Sequence, residues 1–191
     1  MFVTRIHWRI FSLLALLMTS AGCLGASSEA IDLQGKPIDP LQASHGKVVV
    51  LVFVRTDCPV SSRYAPTIEA LSKRYAQNAE FWLVDPDKTE QASAVKKYLA
   101  DYSYSLPALR DPEHVLVTRS QVKITPEAAV FDPHGKLVYH GRIDDWYADF
   151  GRARPAPTTH ELSDAIRDTI AGRTPQVSSA QAVGCYISDL D

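Results

Sequence analysis

Val48-Val49-Val50-Leu51-Val52-Phe53-Val54-Arg55-Thr56-Asp57-Cys58-Pro59-Val60-Ser61-Ser62-Arg63-Tyr64-Ala65-Pro66 is the stretch that decides how this 191-residue chain is read. The apolar, β-branched run from Val48 to Val54 predicts a strand buried on both faces, and therefore central in a sheet. Arg55-Thr56-Asp57 ends it. Pro59 suits the first turn of a helix, where its missing N–H costs nothing, so Cys58 is expected at the junction of a core strand and a helix N-terminus. Free backbone N–H groups and the positive end of the helix dipole favour a thiolate there. Arg55 and Arg63 would add to this effect and Asp57 would oppose it. The competing reading is an inert core residue, since free Cys often packs as a small hydrophobe.

The segment resembles the active-site region of the thioredoxin superfamily: a hydrophobic strand, a loop, Cys-x-x-x, and an Ala-Pro further on. Cys58 matches the attacking Cys of that family, Ser61 stands where thioredoxins carry their second Cys, and Ala65-Pro66 matches the Ala-Pro that kinks the active-site helix. The Cys58-Pro59 pair is similar to the alkyl hydroperoxide reductase/thiol-specific antioxidant branch, the redoxins. The chain departs from both patterns. It has no Cys-x-x-Cys, and Arg55 occupies the position of the peroxiredoxin Thr. A second landmark is Thr125-Pro126 ahead of the apolar run Ala128 to Phe131, which matches the residue and cis-proline that face the reactive Cys in the superfamily. The resemblance implies an α/β, thioredoxin-like fold with a central mixed β-sheet flanked by helices. It also implies that the Thr125 N–H and C=O face a substrate chain.

Composition sets outer limits. Lys and Arg number 20 against 22 Asp and Glu, a net charge of −2. With no basic excess and no basic run, nucleic acid is not an expected partner. No Gly-rich phosphate cradle is present. Near-average apolar content suits one globular domain with appendages. The N-terminus reads differently: Arg5 and Arg9, then the apolar run Ile10 to Met18, then Thr19-Ser20-Ala21-Gly22-Cys23. This is the three-part pattern of a secretory signal, too short to span a membrane. Ala-Gly-Cys resembles a lipobox, although Ser20 replaces its usual Leu. The expectation is a signal peptide over 1–22 with Cys23 lipidated, ordinary cleavage after Ala26 being the alternative. Both place the domain outside the cytoplasm, and on the lipidated reading the N-terminal anchor is its only hold on a membrane.

A thioredoxin-like domain is expected over 27–171 and a tail over 172–191. Ile31 to Ile38 reads as a small hairpin or edge strand around a Gly-Lys-Pro turn, and His45 as an exposed turn residue. Tyr64, Ile68, Leu71 and Tyr75 form one helical face, followed by a strand at Phe81–Val84. A helix starting at Asp87, boxed by Glu90, is expected to bury Val95, Tyr98, Leu99 and Tyr102. A short strand lies within Ser105–Pro112, and Glu113–Gln121 can form a short helix. Asp132-Pro133-His134-Gly135 turns into a hairpin strand at Lys136–Tyr139. Trp146–Pro157 reads as a loop in which Arg142, Asp144, Asp145, Trp146 and Arg152 are candidates for partner contact, a solvated surface loop being the equal alternative. Thr158 and Glu161 suggest a second capping box, ahead of an apolar face of Leu162, Ala165, Ile166 and Ile170 closed by Gly172.

The tail, polar up to Val183, carries Gly184-Cys185-Tyr186-Ile187. With Cys23 assigned to lipid, Cys58 and Cys185 remain, and two Cys in an oxidising compartment are a potential pair. Some peroxiredoxins carry a resolving Cys in a C-terminal tail, which this arrangement resembles. A purely structural staple is the alternative, worth roughly 4–5 kcal/mol in the chain-entropy model. The leading function is thiol–disulfide exchange: Cys58 attacks, and Cys185 or the substrate's own second thiol resolves the mixed disulfide. Pro59, Ser61, Arg55, Thr125 and Pro126 are the supporting residues. Thiol peroxidase chemistry through a sulfenic acid at Cys58 is the second hypothesis, and a non-enzymatic interaction module the third. Substrates would be protein thiols and disulfides or a peroxide, with an external thiol reductant. No cofactor is expected. Copper chaperones of the same fold use two Cys on one loop plus a His, but Ser62 and the absence of a suitably spaced His argue against a metal.

Overall fold

The computed structural model describes residues 29–44, 46–188 and 190. The expected signal peptide, the lipidated Cys23 and His45 lie outside the described residues. In chain order the elements are β1 (Ile31–Asp32), α1 (Pro40–Ala43), β2 (Val48–Phe53), α2 (Pro59–Tyr75), β3 (Ala79–Asp85), α3 (Ala92–Asp101), β4 (Ala108–Arg110), α4 (Val115–Ser120), β5 (Ile124–Thr125), β6 (Glu127–Phe131), β7 (Leu137–Gly141), β8 (Tyr147–Asp149), β9 (Arg152–Ala153), α5 (Glu161–Ile170), β10 (Ser179–Ala180) and β11 (Cys185–Tyr186).

β2 sits inside a seven-stranded sheet of order β1-β4-β3-β2-β6-β7-β10. It runs parallel to β3 and antiparallel to β6, so the sheet is mixed. Every β2 residue is buried, and its alternation sorts two cores. Val48, Val50 and Val52 face a cluster with Tyr64 and Ile68 of α2 and Leu162 and Ile166 of α5. Val49, Leu51 and Phe53 face Leu116 and Val117 of α4. Helices therefore cover both faces, which is why this run carries no polar residue. β1 forms the expected edge, antiparallel to β4.

The helical faces read from spacing are broadly the buried ones. Tyr64, Ile68 and Leu71 are buried on α2, and Leu162, Ala165 and Ile166 on α5. Gly172 closes α5, donating its N–H to the Thr169 carbonyl at 2.9 Å. On α3, Val95 and Tyr98 are buried but Tyr102 is exposed.

Both expected capping boxes fail. The Asp87 carboxylate accepts the backbone N–H and hydroxyl of Thr89, each at 2.8 Å, and holds a turn. This local bond competes with helix initiation, so α3 starts at Ala92 after Gln91. The Thr158 hydroxyl instead donates to the buried Asp145 carboxylate at 2.6 Å, and α5 starts at Glu161 after His160.

The expected 146–157 loop contains the antiparallel pair β8–β9. Several of its candidate partner-contact residues turn inward: Arg142 pairs with Glu161, and Asp144 and Asp145 are buried. The tail also departs from a loose polar extension. β10 adds to the sheet edge, parallel to β7, and a Cβ on Gly141 would strike the Ala180 backbone. Further on, β11 pairs antiparallel with β5.

Candidate active site around Cys58

Cys58 ends the turn between β2 and α2. Its backbone is extended, and Pro59 opens the helix behind it. The Cys58 N–H donates to the Arg55 carbonyl at 3.2 Å, which closes the turn. The local sequence dictates this: a buried strand stops at charge and a proline starts a helix. The Cys58 side chain is fully buried.

Three elements meet at its sulfur. From α2 comes its first turn, where the buried Ser61 and the N–H groups of Val60 and Ser61 favour a thiolate at Cys58. From the β5 end comes Thr125, joined to Pro126 by a cis peptide bond, whose carbonyl accepts from the Cys58 thiol at 3.1 Å. From the tail comes Cys185, paired opposite Thr125 and packed against the cluster that contains Cys58. Both cysteines are free thiols.

Electrostatics separates the two sulfurs. Burial penalises a Cys58 thiolate, but hydrogen bonds from the Cys185 thiol, the Ser61 hydroxyl and the two helix N–H groups outweigh it, so Cys58 lies below the ordinary thiol range. Cys185 moves the other way. Burial, its hydrogen bond to Cys58 and the charge of Cys58 push it up to about 12. Cys58 is thus the more acidic of the two sulfurs and Cys185 the less acidic. Such a pair can perform nucleophilic attack at Cys58 followed by attack of the second sulfur on the first.

The basic residues behave differently from expectation. Arg55 is held by carboxylates and by the tail. Its guanidinium spans Asp57 at 2.9 Å and Asp87 at 3.2 Å, and donates to the Tyr186 carbonyl of the tail at 3.4 Å. Arg63 is exposed. Support for a thiolate therefore comes from hydrogen-bond donors rather than from a cation.

Two residues missed in the sequence shape the site. Glu127 is buried, and one carboxylate oxygen accepts the N–H groups of Lys123 at 2.8 Å and Ile124 at 3.1 Å. It fixes the loop that presents Thr125. Its position just after Thr125-Pro126, as the one charge opening an apolar strand, was the available signal. Asp85, at the end of β3, is a buried carboxyl pushed up to about 7, by burial first and then by the charges of Glu90 and Asp87.

No curated protein matches the chain significantly. Solved structures do. A conserved uncharacterized protein of Geobacillus kaustophilus superposes with a TM-score of 0.69 at 19% identity, covering 84% of this chain and 88% of the other. The pneumococcal exposed lipoprotein thioredoxin of Streptococcus pneumoniae superposes with a TM-score of 0.53 at 26% identity, covering 75% and 97%. A secreted disulfide oxidoreductase of Mycobacterium tuberculosis, homologous to E. coli DsbE, gives 0.51 at 20% identity, covering 75% and 93%. The fold is thioredoxin-like, as the Cys-Pro and Thr-Pro landmarks implied. The AhpC/TSA family model matches residues 25–140, more than half of the chain and inclusive of Cys58, Thr125 and Pro126, and the chain accordingly belongs to the AhpC/TSA family.

Proposed function

We propose that the chain is an exported thiol–disulfide oxidoreductase in which Cys58 is the attacking thiolate and Cys185 the resolving thiol. The observation that carries this reading is the convergence of both cysteines on Thr125: Cys185 lies opposite it in the β11–β5 pairing, and the Thr125 carbonyl accepts from the Cys58 thiol at 3.1 Å. The Cys58 thiolate attacks a sulfur of a client disulfide, and the client's other sulfur leaves as a thiolate. Cys185 gives up its proton, attacks Cys58 and releases the reduced client. The product is a Cys58–Cys185 disulfide, which an external thiol reductant returns to two thiols. Ser61 holds the thiolate but cannot resolve it. Thr125 and Pro126 line the client side, Pro59 opens the helix that aims its N–H groups at the sulfur, and Arg55 steadies the tail.

Export rests on the pattern of residues 1–22, and a lipid on Cys23 would tether the 27–171 domain and its 172–191 tail to a membrane surface. The test of the chemistry is transfer of electrons to a model disulfide with a dithiol as reductant, compared with consumption of hydrogen peroxide under the same conditions. Disulfide reduction lost in both Cys58→Ser and Cys185→Ser is the expected result. Peroxide consumption without disulfide reduction would favour the peroxidase alternative.

A further inference from the structure

The reactive sulfur is closed off by the tail of its own chain. Cys58 is 0% exposed, and β11 lies over it with Cys185 opposite Thr125 and Tyr186 opposite Ile124. A thiolate in this position cannot meet a disulfide on another protein until β11 moves. Few bonds hold it. The Ile187 N–H donates to the Lys123 carbonyl at 2.9 Å, the Thr125 hydroxyl to the Cys185 carbonyl at 3.3 Å, and Arg55 to the Tyr186 carbonyl at 3.4 Å.

The side chains along this strand divide sharply. Gly184 lies so close to Thr125 that a Cβ would run into the Thr125 carbonyl. Tyr186 is 76% exposed, whereas Ile187 is 5% exposed and joins the cluster of Leu116, Val117 and Val122. The groove beside β5 therefore reads its occupant as a short extended segment. It demands glycine before the cysteine, tolerates any residue after it, and accepts an aliphatic side chain two places on.

We propose that, on the client side lined by Thr125, Gly184–Ile187 is a built-in stand-in for the client, and that clients are extended segments of the form glycine, cysteine, any residue, aliphatic residue. The proposal rests on the oxidoreductase reading. Strand addition supplies backbone affinity, and alternate side-chain positions supply selection. Tail and client occupy the groove in turn. A client enters when β11 lifts, and its disulfide sulfur takes the place of the Cys185 sulfur. Cys58 bonds to that sulfur, and the client's partner sulfur leaves and takes a proton from water. The tethered tail, present at high effective concentration, then returns and drives resolution by Cys185. The two electrons end on the client, and an external thiol reductant replaces them.

The test uses the full-length reduced chain, Gly184→Ala and Ile187→Asp, each first shown to retain its cooperative urea unfolding. Cys58 alkylation by iodoacetamide is followed by mass spectrometry of the Cys58 peptide. Thionitrobenzoate release is followed from peptides bearing a Cys–thionitrobenzoate disulfide within Gly-Cys-Tyr-Ile, Ala-Cys-Tyr-Ile or Gly-Cys-Tyr-Asp. Alkylation should accelerate about tenfold or more in both variants, the factor expected for losing roughly one strand hydrogen bond. On the Gly184→Ala chain, the Gly-Cys-Tyr-Ile peptide should react about tenfold faster than either altered peptide on the same grounds. Equal alkylation in all three chains, or equal rates for all three peptides, overturns the proposal while the oxidoreductase reading stands. Faster alkylation with no thionitrobenzoate release from any chain overturns the oxidoreductase reading, and the client site with it.

Discussion

Cys185 lies directly opposite Thr125 in an antiparallel pairing, and the Thr125 hydroxyl donates to the Cys185 carbonyl at 3.3 Å. This relationship delivers a tail cysteine to the sulfur of Cys58, which itself contacts the Thr125 carbonyl at 3.1 Å. Thr125 thus addresses both sulfurs through one residue, its carbonyl toward Cys58 and its hydroxyl toward the strand that carries Cys185.

Against the cost of burial, Cys185 is the neighbour that lowers Cys58 most. Cys185→Ala removes a donor to the thiolate, so the midpoint of Cys58 alkylation against pH should move upward by about one unit, the size expected for a hydrogen bond to a charged group. Ser61→Ala should move it in the same direction. Reaction falls as pH drops through the folded value, because only the thiolate reacts. Midpoint and plateau rate are read separately: uncovering Cys58 raises the plateau and, by relieving burial, lowers the midpoint, opposite in sign to the loss of a donor.

Glu127 acts through the loop it holds. Glu127→Ala leaves the N–H groups of Lys123 and Ile124 without their acceptor, and should cost about 1–3 kcal/mol in urea unfolding. Glu127→Gln keeps an acceptor oxygen and should recover most of that loss. Disulfide reduction should follow the same order, because Thr125 sits at the end of this loop.

Asp85 gives a pH signature of its own. Its folded value is raised to about 7, above the ordinary carboxyl range, so the folded state binds the proton more tightly than the unfolded state. Its contribution to stability is fully present below about pH 4 and is lost as pH rises to about 7. Asp85→Asn keeps an acceptor for the Asp87 N–H, a 2.9 Å bond in the parent, and abolishes the titration. Parent and variant should unfold alike near pH 4. The variant should be more stable near pH 8 by on the order of a few kcal/mol.

Tyr64 ties the active-site helix to the segment before β8. Its hydroxyl donates to Asp144 at 2.6 Å, and Asp144 also accepts the Trp146 N–H at 2.9 Å. Tyr64→Phe leaves a buried carboxylate with one partner fewer, and should destabilise the fold by about 1–3 kcal/mol in urea unfolding.

The sequence made β2, the Cys58 turn and the Thr125-Pro126 element legible for local reasons. A β-branched run, a stop at charge and a proline at a helix start are each written in adjacent residues. The missed helix starts at Asp87 and Thr158 are local too, but there two uses of one side chain compete. Asp87 bonds Thr89 in a turn, and Thr158 is drawn away to Asp145. The docking of the tail was out of reach. β11 has only two residues and no periodicity, and its partners lie on β5, far away in the chain. The pairing of Arg55 with Asp87 was equally out of reach, because Asp87 comes from the loop after β3.

The central claim is that Cys58 and Cys185 form a working redox pair, and it is tested most directly by equilibrating the domain across a glutathione series. Thiols are trapped and read by intact mass. The account predicts a reversible Cys58–Cys185 disulfide with a potential between roughly −120 and −270 mV, the range of exchange proteins. A pair that stays oxidised below about −300 mV, or Cys58 found only as a glutathione adduct with Cys185 free, would contradict it.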